Sequence, residues 1–390
     1  MSDTATPLMR NGLFNLIIDE SKKTLSGCLK NPHAGLLMQR GLAMWDSDSE
    51  KPYKKELIKS VSNIAVKKGD LYDLAFNRWV EHTEDGKRFA FTAAKINGRL
   101  YTGMSSATAL ETGLTTQHTY GMPMLAGSSV KGAVAAFAEK IRLPENVRAV
   151  LFGDEDNAGA VIWHDAWWIP NIGKNPFVGE IITTHHQRYY NGEDIKLNEM
   201  EMESPIPNQQ IACQGSFYFV VEASEKATAW AKFANNLLCQ MLEQQGMGSK
   251  TASGYGYFVE DEDAIKVIQD IRDELEKCKE RDKFNTMPKH EQLVAKWSEI
   301  LHPNQEKPNP QKKIYYSVNE QKHTDLYSEL IKDLQSACED SSLNAEQKKF
   351  IGTELSFNKM TKTWGQEKWF NKTRTQEIRS ILAKLRDENQ

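Results

Sequence analysis

Two glycine-rich segments of this chain carry the residue types that hold a phosphate. The first is Gly246–Phe258, GMGSKTASGYGYF, and the second is Gly121–Gly132, GMPMLAGSSVKG. Glycine lets one backbone approach another closely, and small hydroxyls, backbone N–H groups and a lysine suit a sugar-phosphate chain. Two such segments favour a surface for an extended polyanion, although each alone also fits an ordinary turn without a ligand.

Neither segment is a mononucleotide-binding motif. The spacing G-x-x-x-x-G-K-[ST] is absent, and no G-x-G-x-x-G opens a helix after a strand, so no ATP-type or dinucleotide cofactor is expected. Lys131 follows the serine pair at the predicted start of a helix, where a lysine and free N–H groups favour phosphate. Ser128 and Ser129 are expected to contact phosphate, to cap the helix, or to do both.

A separate cluster of chemically active residues lies at His185, His186, Arg188 and Tyr189. Histidine and tyrosine rings stack on unpaired bases and arginine binds phosphate, so the cluster favours contact with RNA or with another subunit. The histidines together with Lys131 also fit an acid-base ribonuclease. A structured loop that packs the rings inward is the third alternative.

The acidic residues do not predict a metal site. No glutamate stands where a calcium loop starting at Asp154 requires one, and Asp154–Asn157 is expected to form a solvated turn. His164 and Asp165 are adjacent, but no serine or cysteine nucleophile elbow accompanies them. We therefore predict neither catalytic residues nor metal ligands, and we expect Asp165 to be hydrogen-bonded locally.

Composition restricts the function further. The 390 residues carry a formal net charge of −4, so a polyanion site must be a local patch rather than a property of the whole chain. Five scattered cysteines without C-x-x-C spacing favour free thiols in a reducing cytoplasm. No signal peptide and no apolar run of membrane-spanning length are found, so no membrane partner is expected.

Hydrophobic patterns predict mixed helices and strands up to residue 260 and helices alone beyond it. We expect a helix over 53–82, a hairpin turning at Asn97-Gly98, an alanine-rich helix over 130–141, a strand over 217–223 and a helix over 228–245. The chain is therefore predicted to contain an α+β domain, 1–260, and a helical domain, 261–390. The basic stretch 355–386 fits nucleic-acid or protein binding as well as an ordinary helical core.

Four motifs occur in the order of a known family. GMPMLAGSSVKGAVAAFA resembles the G-x-P-x-I-P-G-S-S-x-K-G segment of RAMP-superfamily CRISPR proteins, and LFGDEDNAGAVIWHDAWW resembles their FG…G-x-V-x-x-x-DA segment. GMGSKTASGYGYF resembles their C-terminal glycine-rich loop. ITTHHQRYYNGE followed by PIPNQQIACQGSFYFVV resembles, more narrowly, the sixth-subunit family of the type III-B (Cmr) effector complex. Ala126 stands where the family usually has proline, and residues 262–390 have no counterpart.

The resemblance implies a ferredoxin-like (RRM-related) RAMP core with inserted loops, followed here by a C-terminal all-helical extension. It implies a cytoplasmic, non-catalytic RNA-binding subunit that holds the 3′ part of a CRISPR guide RNA and caps the backbone filament for target-RNA capture in antiviral defence. The implied partners are guide RNA, target RNA, and the other RAMP backbone and small subunits, packed against its sheet and loops.

Two other functions remain open from the sequence. One is a metal-independent RAMP endoribonuclease that acts on guide-RNA precursor, and the other is a protein-interaction adaptor that acts through the helical domain. The residues expected to bind RNA are Ser128, Ser129, Lys131, His185, His186, Arg188, Tyr189, Gly248, Ser249, Lys250, Thr251 and Tyr255.

Overall fold

The computed structural model describes residues 32–42, 52–106, 110–184, 206–301, 320–355 and 372–386, together with 6–7, 18–19, 24–25, 44–45, 108 and 192. The chain divides into two compact units, Met1–Glu274 and Leu275–Gln390. None of the described helices combines the length and the apolar character that crossing a membrane requires.

The described strands are labelled β1 to β12 in chain order: Thr6–Pro7, Ile18–Asp19, Thr24–Leu25, Met44–Trp45, Phe89–Asn97, Met124–Leu125, Val161–Trp163, Ala166–Trp168, Phe177–Thr184, Ile206–Cys213, Ser216–Ala223 and Tyr257–Glu260. The described helices are labelled α1 to α11: Ala34–Arg40, Pro52–Ser62, Leu71–His82, Gly127–Lys140, Glu145–Phe152, Thr228–Gln244, Glu262–Thr286, Lys289–Leu301, Glu320–Glu339, Ala345–Glu354 and Lys372–Arg386.

One antiparallel sheet organises the first unit. Its strand order is β12-β5-β11-β8-β6, and β7 also pairs with β11. The chain runs from β5 through α4 to β7 and β8, returns along β11, and continues through α6 to β12. Between β8 and β11 it leaves the sheet to form a separate two-stranded ribbon, in which β9 and β10 pair from Phe177 opposite Cys213 to Thr184 opposite Ile206.

Both faces of this sheet are covered by helices. Strand β11 is an almost continuous apolar run, and alternate residues point to opposite faces. Phe217 and Phe219 belong to the core that includes α4 and α6, whereas Tyr218 and Val220 belong to the core that includes α3 and the first turns of α7. A partner subunit therefore cannot pack on either face of the sheet over β11. The edges of the sheet and the loops are left for such contacts.

Two expected elements differ from the structure. The hairpin at Asn97-Gly98 is wrong, because β5 pairs along its length with β11 and β12 instead, and Leu100 bridges Cys213. The single helix over 53–82 is two helices, α2 and α3, separated by a turn in which Gly69 has φ +89°. Long-range strand pairing prevents the expected hairpin. A left-handed turn at Gly69 divides the expected single helix.

The second unit is built from helices α8 to α11 around their own apolar core. Trp297, Leu334, Ile351 and Ile378 are at most 1% exposed in this core. The indole Nε1 of Trp297 donates to Asp333 Oδ2 at 3.0 Å, so the buried ring keeps a polar partner. Residues 356–371, which carry much of the basic stretch, lie outside the described part of the chain.

Candidate functional site

The glycine-rich loop between α6 and β12 is closed at its base by two glycines. The N–H of Met247 donates to the carbonyl oxygen of Gly256 at 2.8 Å, and Gly246 and Gly256 have φ of +67° and +74°. A Cβ at Gly256 would lie well under 3.0 Å from the Met247 carbonyl oxygen. These two positions therefore require glycine for the backbone alone, with or without a ligand.

The tip of the same loop is open to solvent. Lys250 takes a left-handed conformation (φ +61°, ψ +33°), a short 3-10 turn follows at Thr251–Ser253, and Gly254 is left-handed again. The N–H groups of Ser253, Gly254 and Tyr255 donate within the turn, to the carbonyls of Lys250 or Thr251. Those three N–H groups are used inside the loop, so a ligand meets mainly hydroxyls and the exposed Lys250 here.

The second glycine-rich segment forms the start of helix α4. Ala126 is the N-cap residue and makes no side-chain capping hydrogen bond. Instead, the N–H of Gly127 donates to Asp165 Oδ1 at 2.6 Å, so a carboxylate 38 residues away satisfies the first free donor of the helix. Asp165 thus makes a long-range contact rather than the expected local one. Ser128 and Ser129 lie in the first turn, exposed and beyond the cap position.

Gly127 is also required by packing. A Cβ at this position would lie well under 3.0 Å from the carbonyl oxygen of Trp163, at the end of β7. The glycine of the GSS motif therefore lets the start of α4 rest directly on the sheet, beside the Asp165 carboxylate that follows β7. The negative carboxylate stabilises the positive end of the helix, and it reduces the positive potential left for an anion.

The two glycine-rich segments meet in one cleft. A cavity of about 410 Å³ lies between the start of α4 and the loop before β12. It is lined by Thr102, Gly103, Thr115, Met124, Leu125, Ala126, Ser129, Ala133, Gln245, Gly246, Met247, Gly248, Ser249 and Thr251. Four residues expected to bind RNA thus line one cavity: Ser129, Gly248, Ser249 and Thr251. They come from two glycine-rich segments that lie about 120 residues apart in the chain.

Backbone hydrogen bonds fix the walls of this cleft to one another. Ser249 N–H donates to the carbonyl of Tyr101 at 2.7 Å, and Thr115 N–H donates to that of Thr102 at 2.9 Å. Met124 N–H donates in turn to Thr115 at 3.4 Å. The segments that present hydroxyls to the cavity are therefore held in register before any ligand arrives, which lowers the ordering cost of binding.

Two lysines expected to bind RNA do not line the cleft. Lys131 is half-buried and stands two residues after Ser129 on α4, and Lys250 is exposed between Ser249 and Thr251. The described lining residues carry hydroxyls but no carboxylate. Neutral hydroxyls suit the oxygens of a sugar-phosphate backbone, which accept hydrogen bonds from them.

Two further expected residues, Ser128 and Tyr255, do not line the cleft. The Tyr255 ring packs on the fully buried Tyr101, with ring centroids 5.2 Å apart, and burial raises the pKa of Tyr101. Ser128 is exposed on the first turn of α4. His185, His186, Arg188 and Tyr189 lie outside the described residues.

His164 and Asp165 do not act as a pair. His164 Nε2 lies 2.9 Å from Glu222 Oε2, and Arg88 forms an ion pair with the other oxygen of that carboxylate. Burial raises the pKa of Glu222, but the hydrogen bonds from His164 and Arg88 outweigh it and hold the pKa below its ordinary value. Asp165 is engaged with Gly127 instead.

The acidic stretch after α5 forms a turn. Asp154 Oδ1 accepts from the N–H groups of Asp156 and Asn157, and these bonds hold the pKa of Asp154 below its ordinary value. A Cβ at Gly153 or Gly159 would meet backbone atoms across this turn at under 3.0 Å. Among the described residues, no group of three or more His, Cys, Asp or Glu side chains is placed to hold a metal ion.

Sequence reasoning missed Thr102, Gly103 and Thr115. They lie in an irregular stretch after β5 that has no hydrophobic period and no recognised motif. Nothing local marks them. Thr115 N–H donates to the Thr102 carbonyl inside this stretch, and the neighbouring Tyr101 carbonyl joins it to the distant glycine-rich loop by accepting from Ser249 N–H.

Comparison with known proteins gave one family match. A family model described as the RAMP superfamily matches residues 57–259, just over half of the chain. No curated protein sequence matches the chain.

Among solved structures, the chain is similar to a chain of the type III-B Cmr-beta complex bound to cognate target RNA, solved by cryo-EM. The TM-score is 0.45 with 21% identity, covering 55% of this chain and 73% of that chain. Cmr6 from Pyrococcus furiosus gives a TM-score of 0.30 with 19% identity, covering 44% and 98%. Oligomeric Cmr4 from Pyrococcus furiosus gives 0.27 with 11% identity, covering 44% and 97%.

Proposed function

The chain belongs to the RAMP superfamily, and from this membership we propose that it is a non-catalytic RNA-binding subunit of a type III-B CRISPR ribonucleoprotein. The cleft between α4 and the loop before β12 holds the sugar-phosphate backbone of the guide RNA. Its partners are guide RNA, target RNA, and RAMP backbone and small subunits, and its role is target-RNA capture in antiviral defence.

One observation carries this proposal. Two glycine-rich segments that are typical of the family line a single cleft of about 410 Å³, whose described walls present hydroxyls, and each segment also carries a lysine, Lys131 or Lys250. An isolated turn needs neither the second segment nor the lysines. A strand of RNA passing through the cleft would place phosphates at both lysines and ribose oxygens at the hydroxyls.

The core is proposed to be ferredoxin-like. The core has four strands in chain order: β5 is the first, β7 and β8 together are the second, β11 is the third and β12 is the fourth. Their order across the sheet is fourth, first, third, second. Helix α4 follows the first strand, α6 follows the third, and both belong to the core on one face of the sheet. This is the strand-helix-strand-strand-helix-strand pattern of the ferredoxin-like fold, and β9 with β10 is then an insertion.

The position at the 3′ part of the guide, at the end of the backbone filament, rests on the segments that resemble the sixth-subunit family. Because both sheet faces are covered over β11, neighbouring subunits are proposed to contact the sheet edges, the loops and the β9–β10 ribbon. Co-purification from the native operon tests this. Guide RNAs with a uniform 5′ end, together with other RAMP subunits, are expected, and a solitary protein without RNA would contradict it.

The absence of catalysis is also a proposal. Its support is that His164 and Asp165 are engaged in structural contacts with Glu222 and Gly127. Incubation of the full chain with guide-precursor RNA in EDTA is expected to leave the RNA intact. Cleavage that disappears in His185→Ala or His186→Ala would establish the endoribonuclease alternative instead.

The phosphate role of the two lysines is tested by the salt dependence of RNA affinity. Full-length protein is titrated against a labelled single-stranded RNA by fluorescence anisotropy at several salt concentrations. Each lysine-to-alanine change, at Lys131 or Lys250, is expected to reduce the slope of log K against log salt by about 0.7, the value for one phosphate contact on a single strand.

Lys140→Ala is the matched control. It removes an exposed lysine from the last turn of the same helix that carries Lys131, away from the cleft. Its salt slope is expected to equal that of the unaltered chain. If Lys131→Ala and Lys250→Ala behave like Lys140→Ala, the cleft does not bind phosphate.

A further inference from the structure

A second pocket opens beside the cleft in the first unit. It has a volume of about 230 Å³ and lies between helix α1, the irregular segment after β5, and β10. Its lining residues are Gly35, Met38, Gln39, Ser106, Thr108, Leu110, Thr112, Leu114, Thr115, Thr116 and Ile211. Thr115 also lines the larger cleft, so the two cavities adjoin at one residue.

The chemistry of the pocket differs from that of the cleft. None of its described lining residues is charged, so it does not offer a site for a phosphate. Its apolar side chains include Met38, Leu110 and Ile211, and a ring of hydroxyls accompanies them. Apolar walls suit the faces of a planar ring, and hydroxyls, which both donate and accept, suit a polar ring edge.

Several of these hydroxyls are available to a ligand. Thr108 Oγ1 donates to the carbonyl of Thr112 at 2.8 Å, so that hydroxyl already has an acceptor. In the part of the chain that the structure describes, the hydroxyls of Ser106, Thr112 and Thr116 make no side-chain hydrogen bond. A hydroxyl that can rotate accepts any base edge, so the pocket selects a flat ring rather than a particular sequence.

The wall of the pocket is tied to two other elements. The ammonium of Lys54, on α2 and 5% exposed, lies 3.1 Å from Glu111 Oε2 and 2.7 Å from Asn208 Oδ1. Asn208 Nδ2 donates to the same Glu111 oxygen at 2.8 Å. Glu111 sits between the lining residues Leu110 and Thr112, so the ion pair holds the pocket segment against α2 and β10.

We propose that this pocket receives one unpaired nucleobase of the RNA whose sugar and phosphate lie in the adjoining cleft. The inference rests on the proposed function. A volume of 230 Å³ is below the roughly 300 Å³ at which sites for whole drug-sized ligands begin. It therefore suits part of a nucleotide, and the neighbouring cleft, reached at Thr115, takes the charged remainder.

The test is an abasic scan of bound RNA with the full-length protein. A short single-stranded RNA is prepared as a series in which one nucleotide at a time lacks its base, and each is titrated at low salt. With the unaltered chain, one position is expected to weaken binding roughly three- to tenfold, the loss for one buried base with its hydrogen bonds. In Thr112→Phe, which fills the pocket, that position dependence is expected to disappear.

Thr119→Phe is the matched control, because Thr119 is an exposed threonine of the same segment that does not line the pocket. It should keep the position dependence. If Thr112→Phe keeps it too, the pocket proposal fails and the proposed function stands. If the unaltered chain binds no RNA at low salt, the proposed function fails and this inference fails with it.

Photo-crosslinking covers the case in which Thr112→Phe does not fold. The unaltered chain is irradiated with RNAs that carry 4-thiouridine at single positions, and the adducts are mapped by mass spectrometry. The position identified by the abasic scan is expected to crosslink within residues 103–116 or at Met38 or Gln39. If no RNA position gives an adduct at these residues, and all adducts map to other parts of the protein, the pocket proposal is overturned.

Discussion

Two glycines of one loop, Gly254 and Gly256, allow a backbone effect to be separated from a packing effect. Both have positive φ, +86° and +74°. A Cβ at Gly254 would meet no atom within 4 Å, whereas a Cβ at Gly256 would lie well under 3.0 Å from the Met247 carbonyl oxygen. We therefore compare Gly254→Ala with Gly256→Ala.

The expected magnitudes follow from these surroundings. A left-handed conformation costs an alanine about 1–2 kcal/mol at either position. The Met247 carbonyl cannot move away from a Cβ at Gly256 without disturbing the 2.8 Å hydrogen bond that Met247 N–H donates to the Gly256 carbonyl oxygen. The resulting overpacking adds about 1–3 kcal/mol. With a urea m-value of about 3 kcal/mol/M, the midpoint should fall by about 0.3–0.7 M for Gly254→Ala and about 0.7–1.7 M for Gly256→Ala.

The assay is urea unfolding of the full-length protein, followed by circular dichroism, together with RNA titration of the two folded variants. Gly256→Ala is also expected to weaken RNA binding, because the base of the loop sets the position of Ser249 in the cleft. Equal midpoint shifts for the two variants would refute the reasoning, since they would mean that the close approach at Gly256 does not constrain the loop.

Three further outcomes are expected. Asp165→Asn removes the charge that accepts from Gly127 N–H at the start of α4, two residues before Ser129. A phosphate about 5 Å from that charge is repelled by about 0.8 kcal/mol in water before screening. RNA affinity by anisotropy should therefore rise two- to fourfold at low salt, and no change would show that phosphate lies elsewhere. Glu222 has a folded pKa below its ordinary 4.5, so it stabilises the fold at neutral pH and loses this effect as pH falls below about 4.5. The stability gap between the unaltered chain and Glu222→Gln in urea should narrow there, and a constant gap would contradict the contact. Ile351→Ala, at a fully buried site, should destabilise the second unit by about 2–5 kcal/mol in a thermal melt while leaving RNA affinity unchanged, and a large loss of affinity would contradict a site confined to the first unit.

The local sequence predicted an element correctly where the residues of that element alone favour its conformation. The alanine-rich stretch after the serine pair predicted a helix over 130–141, and the structure has α4 at Gly127–Lys140. The apolar run over 217–223 predicted a strand, and β11 spans Ser216–Ala223. In both, propensity and burial point to the same conformation.

The local sequence predicted the structure wrongly where a residue or strand distant in the chain determines the pairing or the cap. Asn97-Gly98 has the composition of a hairpin turn, but β5 is paired on both sides by β11 and β12. The cap of α4 gives a second example. The serine pair fits a cap, yet the carboxylate that satisfies the helix comes from Asp165, after β7.

By itself the sequence determined the family, through four motifs in a fixed order that the family match over residues 57–259 confirms. It also placed glycine at two positions of the loop before β12 where φ is positive, Gly246 and Gly256, whereas the need for Gly127 comes from its approach to Trp163 in the fold. Only the tertiary structure decided that the two glycine-rich segments line one cleft with Thr102 and Thr115. They meet because α4 and α6 pack together on one face of the sheet, so that the start of one helix and the end of the other lie side by side. No local pattern encodes that approach, since it depends on the packing of helices whose residues are about 100 positions apart.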